Sequence, residues 1–364
     1  MKICKLSEIA KFKTGKLNSN AAEMNGRYPF FTCAPEPLKI DTYAFDTKAI
    51  ILAGNNAEGN FHIQYFEGKF NAYQRTYIIE TIDNSIVDIR YLYYALKMCL
   101  QHFKLISQGT ATKFLTAKIL SAFELPIPTI EEQQKIAFLL SGLDEKVKTN
   151  ERINNNLEQQ AQAIYQQMFI DNASSDWAEG TLSNIADITM GQSPSGSSYN
   201  EDGNGTVFFQ GRAEFGFRFP TVRLYTTEPK RMACANDTLM SVRAPVGDLN
   251  VAHTDCCIGR GLAAIHSKNN HQSFVLYTMF SLKKQLDVFN GEGTVFGSIN
   301  RNSLNEMPIL IPSSEKLDEF EALVAPMDAA IRNNYDEICR LEQLRDSLLP
   351  QLMSGELDVS GIDL

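Results

Sequence analysis

The sequence has little of what marks an enzyme, a disulfide scaffold or a membrane protein. It holds one Trp and five His in 364 residues, and its seven Cys include no CxxC pair. An odd set of cysteines without pairing signals points to reduced thiols, and so to a cytoplasmic protein. No apolar run approaches the roughly 18–20 residues that a membrane span needs. The N-terminal Met-Lys-Ile-Cys-Lys has no apolar core of a secretory signal. There is no GxxxxGK[ST] loop for ATP, no Asn/Asp-Pro-Pro-aromatic motif and no Gly-rich cofactor loop after a strand. His253, Cys256 and Cys257 stand close together, but no second ligand pair follows at zinc spacing. Buried strand thiols are the expectation there. The His and scattered Asp/Glu form no catalytic set, so neither cofactor nor metal is expected in this chain.

What is present is acidic overall, with a net charge of −9. The charge is unevenly spread. Residues 1–125 carry 15 Lys and Arg against 11 Asp and Glu, residues 171–306 carry 11 against 14, and residues 307–364 carry 4 against 12. An acidic total therefore does not exclude a nucleic-acid surface, because the local patch decides.

One long stretch occurs twice. From about Glu131 to Ile170, the residues Leu140, Leu143, Val147, Asn150, Asn154, Leu157, Ala161, Ile164 and Met168 recur at steps of three and four. That is a heptad seam. From about Glu315 to Met353 the seam reads Val324, Met327, Ile331, Asn334, Ile338, Leu341, Arg345, Leu348 and Leu352, an offset of 184. The repeat extends further. KLSEIA (5–10) resembles TLSNIA (181–186), Gly15 pairs with Gly191, Phe30-Phe31 with Phe208-Phe209, and Gly109-Thr110 with Gly293-Thr294. The offset drifts by eight, which implies net insertion in the second copy. The predicted order is globule 1–128, helix 129–172, globule 173–312, then helix and tail 313–364, the tail frayed or lightly docked.

The globules read as mixed α and β. Ala49–Ala53, Tyr77–Glu80, Thr238–Val242 and Leu262–Ile265 are short apolar runs bounded by turn residues, and so predict strands. Ile89–Phe103 and Ser273–Phe289 have helical periodicity. Phe123–Pro128 and Met307–Pro312 predict Pro-bounded strands. Thr129 with Glu132 completes a capping box for the first long helix, and Ser313 stands at the N-cap of the second. A helix of about 40 residues spans roughly 60 Å, and its narrow seam suits one partner helix. Antiparallel pairing of the two helices would relate the globules by an approximate two-fold axis, with seam asparagines setting register. The fold class predicted is α+β: two similar mixed domains joined by an antiparallel intramolecular coiled coil. Its seam includes Leu143, Val147, Asn150, Leu157, Ile164, Met327, Ile331, Asn334, Leu341 and Leu348.

With these features the sequence resembles the specificity subunits of type I restriction–modification systems over essentially its whole length. The resemblance rests on LPIPTIEEQQKIAFLLSGLDEKV (125–147), on MPILIPSSEKLDEFEALVAPMDAAI (307–331), and on Trp177 to Ile188 followed by Gly191-Gln192-Ser193-Pro194-Ser195. The second stretch departs where Glu-Gln-Gln would stand, and Gly15-Lys16-Leu17-Asn18 lacks the Ser-Pro. The resemblance implies a non-catalytic subunit that binds double-stranded DNA, each target-recognition domain reading one half of a bipartite site. It also implies two methyltransferase subunits that use S-adenosylmethionine, and restriction/translocase subunits that use ATP and Mg. A stand-alone methyltransferase or nuclease with a diverged site, or a coiled-coil scaffold that ignores DNA, are the alternatives.

Binding chemistry can be placed on residue types. Lys and Arg neutralise phosphates, whereas Arg, Asn, Gln, Ser and Thr can read base edges. In the first globule the candidates are Lys11, Lys13 and Lys16 along one edge, Asn18 after them, and Arg75. Lys104, Gln108, Thr110, Thr112 and Lys113 surround the first Gly-Thr loop. In the second globule they are Gln192, Ser193, Ser195, Ser197 and Tyr199 in one polar loop, Gln210 and Arg212 about Gly211, Arg243, Arg260, Thr294, Asn300 and Arg301. Arg75 and Arg260 are expected to correspond, since each precedes an apolar strand.

Overall fold

Each globule is closed by the same two-stranded clasp. In this computed structural model, which describes residues 1–110, 112–291 and 297–362, strand Lys2–Lys5 pairs antiparallel with Glu124–Ile127, and Ala178–Thr181 with Pro308–Ile311. One helical turn follows each opening strand, Leu6–Ile9 and Leu182–Ile185. The KLSEIA and TLSNIA copies share a local cause. The backbone N–H of Lys5 donates to the Glu8 carboxylate at 3.0 Å, and that of Thr181 to the Asn184 side-chain oxygen at 2.8 Å. The polar residue three positions on thus satisfies an otherwise orphaned donor. Leu6, Ile9, Leu182 and Ile185 are buried beneath these turns.

The chain forms two compact units, Met1–Thr149 with Glu337–Leu364, and Asn150–Asp336. In the first, a six-stranded sheet runs in the order Ala10–Thr14, Thr76–Thr81, Phe45–Ala53, Ile63–Ala72, Tyr28–Phe31, Leu38–Ile40. In the second, the same run is divided between two sheets. One holds Ala186–Met190, Leu262–Ser267, Thr238–Ser241 and Leu249–Val251; the other contains Thr206–Phe209, Cys256–Ile258 and Met232–Ala233. The long hairpin of the first unit is interrupted in the second near Asn236, which takes φ +75. Asn is among the few residues that tolerate this left-handed conformation.

Register aligns the two units residue by residue. Ala10 faces Thr81 as Ala186 faces Ser267, and Ile50 faces Ile79 as Thr238 faces Ile265. Phe31 lies parallel to Ala72 as Phe209 does to Ile258. Between Phe31/Phe209 and Ile50/Thr238 the offset rises from 178 to 188. The insertion expected from the drift therefore lies largely in the segment after Phe209, which carries Arg218 and Phe219.

The predicted helix over Ile89–Phe103 is two helices, Ile89–Met98 and Leu100–Ile106, and its counterpart is Gln272–Ser281, Lys283–Leu286 and a 3₁₀ turn. Both breaks fall at one repeat position, Cys99 (ψ 0) and Leu282 (ψ −2).

The long helices are Ile130–Tyr165, continued by a π-helical turn Gln166–Asp171, and Ser314–Ser354. Thr129 and Glu132 exchange the capping-box bonds, at 2.9 Å and 3.4 Å. All ten seam residues named above are buried or half-buried. Within the first unit the two helix segments run antiparallel, with Asp144 bound to Arg345 at 2.9 Å and Lys146 to Glu337 at 3.4 Å. Within the second they do so again: Asn334 donates to Asn154 at 2.8 Å, and Tyr165 meets Phe320 edge-on. Of the two expectations for the tail, docking holds over the described residues to Ile362. Val359 is buried in the first unit's core, and Lys135 donates to the Ser360 carbonyl at 2.8 Å.

A tyrosine and an aspartate dock each globule on its helix segments. Tyr94 donates to Asp144 at 2.6 Å, and Tyr277 to Asp328 at 3.0 Å. These are equivalent residues, but their cations differ. Arg345, on the second long helix, serves Asp144. Arg218, from the inserted segment, binds both Asp328 and Glu158 at 2.9 Å, and its side chain is 4% exposed.

Two outcomes follow for stability. Asn154→Leu alone should cost about 1–3 kcal/mol, because Asn334 loses its acceptor, whereas joint replacement of Asn154 and Asn334 by Leu should be near neutral or stabilising; a double-mutant cycle by urea unfolding measures this. Arg218→Met should cost up to about 3 kcal/mol, since two half-buried carboxylates lose their buried cation. Burial already pushes the Glu158 carboxyl up, and Arg218 pulls it back. Without Arg218 it rises further. The penalty of ionised Glu158 is then complete above that raised value and vanishes below the unfolded one. The loss should therefore be larger at about pH 7 than at about pH 4.5 in paired unfolding curves.

Candidate nucleic-acid interface

Four segments meet at the turn end of the central strands in the first unit: Gly15–Asn18, Gly54–Asn60, Tyr73–Arg75 and Gln108–Phe114. Gly15 donates to the Thr76 carbonyl at 3.3 Å, Gly54 to Arg75 at 2.8 Å, and Leu115 to Gly54 at 2.9 Å. Asn55 pairs with Phe114 in a two-residue ladder. The Arg75 guanidinium lies 5.4 Å over the Phe114 ring, and Gln74 donates to Asn18 at 2.8 Å. Thr14, Gln74, Arg75, Gln108 and Phe114 line a cleft of about 420 Å³ here. Lys104 donates to Asn60 at 2.8 Å beside it. Two lysines, an arginine and several carboxamides thus share one rim.

The same frame recurs in the second unit. Gly191 donates to Leu262 at 2.9 Å, Val242 to Gly261 at 3.0 Å, and Ile299 to Val242 at 3.1 Å. Arg243 bridges Ser298 as Asn55 pairs with Phe114. The glycine common to both copies is required by close approach. A Cβ at Gly15 would stand 1.9 Å from the Ala72 carbonyl oxygen, and one at Gly191 2.1 Å from that of Gly259.

The frame therefore has a repeated backbone and a variable polar rim. The model of the type I restriction modification DNA specificity domain matches residues 1–159 and 174–331. The chain belongs to that family. Its members recognise DNA and are not catalytic. A chain assigned as the MjaX specificity subunit of a type I restriction enzyme, from Methanocaldococcus jannaschii, is 30% identical over 328 residues, 84% of this chain and 77% of its own length. The EcoDI specificity subunit of Escherichia coli is 38% identical over 148 residues, 41% of this chain and 32% of that one. The crystal structure of a type I S subunit from M. genitalium shares the fold, with a TM-score of 0.65 at 18% identity over 96% of this chain and 95% of that one.

Within these specificity domains the candidates separate. Arg75, Gln108, Lys104 and Lys113 converge on the first rim, and Thr112 lies between them half-buried. Thr110 is exposed in the same loop. Asn18 joins the rim through Gln74. Lys11 and Lys13 do alternate on an edge strand, but both pair with Glu80, at 3.9 Å and 3.1 Å. Burial opposes ionisation of Glu80, yet bonds from Thr47 and Lys13 hold its carboxyl below the usual value. The two lysines are therefore partly neutralised, and Lys16 is the exposed cation beyond them.

In the second domain Gln192, Ser193, Arg243 and Arg260 lie on the frame. Ser193 accepts from the Arg260 backbone at 3.3 Å. Ser195 and Ser197 bond each other at 2.8 Å in the adjoining exposed turn. Tyr199 is turned inward: its hydroxyl donates to Pro194 at 3.1 Å and its ring lies 4.8 Å from Phe208. Gln210 is exposed, and its backbone is packed closely by Gly259 and Gly261. Arg212 is ion-paired with Asp248. Asn300 is a helix cap that accepts from Ser303 at 2.9 Å, with Arg301 exposed next to it. Thr294 lies outside the described residues. Register corrects one expected pairing: Gln74 occupies the position of Arg260, and Arg75 that of Gly261.

Sequence reading missed Asn55, which belongs to the turn Gly54-Asn55-Asn56, and Gln74. The signal that finds them is the strand register, invisible until pairing is known.

His253 is a structural residue. It bonds Asp336 at 2.7 Å, with its ring between Phe219 and Tyr335. Cys256 and Cys257 are buried in a strand, and burial pushes the Cys256 thiol up to about 12. Among the described residues no group of three or more His, Cys, Asp or Glu could hold a metal ion, and no helix is long and apolar enough to cross a membrane. A second cavity, about 340 Å³, lies against the second long helix. Its charges serve the protein: Arg218 is paired as above, Glu321 accepts from Ser273 and Phe274, and Arg332 donates to Ala252 and His253.

Asn300→Ala should lower stability by about 1 kcal/mol through loss of the cap and leave DNA sequence preference unchanged. Thermal unfolding together with binding to a preferred duplex would check both.

Proposed function

We propose that this chain is the specificity subunit of a type I restriction–modification complex in the cytoplasm. Each domain reads one half of a bipartite double-stranded target. The long helices set the unspecified gap and dock two methyltransferase subunits, which methylate adenine with S-adenosylmethionine. Restriction/translocase subunits using ATP and Mg join the same complex.

The observation that carries this reading is the doubled frame: one backbone scaffold, present twice, bears different polar side chains at equivalent rim positions. A catalyst would keep its reacting groups the same, whereas a reader of two different half-sites must vary them. The basic balance of residues 1–125 and the lysines at the first rim suit phosphate contacts. Membership of a DNA specificity family favours DNA over a protein-only scaffold.

In a host that carries the complete system, mapping of methylated adenines should yield a two-part motif with a fixed gap. Exchanging residues 1–128 for the same segment of another specificity subunit should change one half of the motif only. A change in both halves would overturn the division of labour.

A further inference from the structure

We propose that Arg243 and Arg260 read bases for the second domain, and that its half-site holds guanine where they face it. The proposal rests on the DNA-reading function above.

Superposed register gives two rim positions in each domain. One follows the residue whose N–H and C=O tie the central strand to its neighbours: Gly54 and Val242, followed by Asn55 and Arg243. The other is the turn residue two positions before the next strand, Gln74 and Arg260. The first domain presents two carboxamides there, and the second presents two guanidiniums. Arg bonds guanine through O6 and N7, whereas Asn and Gln match adenine.

The two arginines differ from others in the same domain. Arg212, Arg218 and Arg223 are each held by a carboxylate. Arg243 and Arg260 are exposed, and among the described residues neither guanidinium has a hydrogen-bond or carboxylate partner. Their backbones are fixed all the same. Arg243 bridges Ser298, and Arg260 stands between Gly259 and Gly261, where an added Cβ would come within 2.8 Å and 2.9 Å of the Gln210 carbonyl oxygen. A free planar donor fork on a fixed backbone loses little on forming a bidentate bond.

The experiment uses the full chain in its complex with the modification subunits. Binding selection from duplexes randomised in both halves is run for the native protein, Arg243→Gln, Arg260→Gln and, as a control beyond the opposite end of strand Leu262–Ser267, Lys268→Gln. Far-UV circular dichroism and thermal unfolding confirm that each variant is folded. The native motif should contain guanine in one half. Each frame variant should lose roughly 5- to 150-fold discrimination at one guanine and leave the other half unchanged. Lys268→Gln should leave the motif as it was. The proposal is overturned if that half lacks guanine, or if the frame variants weaken all sequences equally, as phosphate contacts would. A native complex with no two-part motif at all would instead remove the DNA-reading function.

Discussion

The structure depends on how each globule is locked to its helix segments. A tyrosine on the globule's helix donates to an aspartate on a long helix, Tyr94 to Asp144 and Tyr277 to Asp328. Burial and the aspartate bond push the Tyr94 hydroxyl up, so it stays a donor. The aspartate in turn needs a cation, because a buried carboxylate with only a hydroxyl partner is strongly disfavoured. The rim residues can be placed reproducibly only if the sheet behind them is fixed to something long and stiff. The lock does this with directional bonds, while the apolar cores beneath it provide most of the burial.

Much of this was legible in the residues. Periodicity found both long helices within a few positions, since an apolar seam kept in step over many turns fits a long paired helix and little else. The repeat found the equivalence of Gly15 with Gly191 and of Phe31 with Phe209, because close packing leaves those positions little freedom. The candidate rim was legible in part: Lys104, Gln108, Thr112 and Lys113 gather about one loop in the sequence, whereas Arg75, Arg243 and Arg260 stand there as separate candidates.

The rest depended on pairing. Gln74 and Arg75 are neighbours, and only the ladder shows which of them stands where Arg260 does. Asn300 and Tyr199 have side chains able to read bases, yet a helix N-terminus and a nearby carbonyl use those groups first. Lys11 and Lys13 looked like free cations until the strand beside them brought Glu80 between them. Arg218 belongs to no motif or cluster in the sequence. Its burial against two carboxylates from distant helices has no local signature.

The source of the cation makes the two halves inequivalent. In the first unit it comes from the rod, as Arg345; in the second it comes from the head, as Arg218, and the rod position matching Arg345 is Ala161, fully buried. Shuffling of modules between the two places is therefore directional. A first head moved to the second place would leave Glu158 and Asp328 without a counter-ion. A second head moved to the first would bring a guanidinium to a place that already holds one. Recombination that renews recognition should accordingly exchange heads like for like.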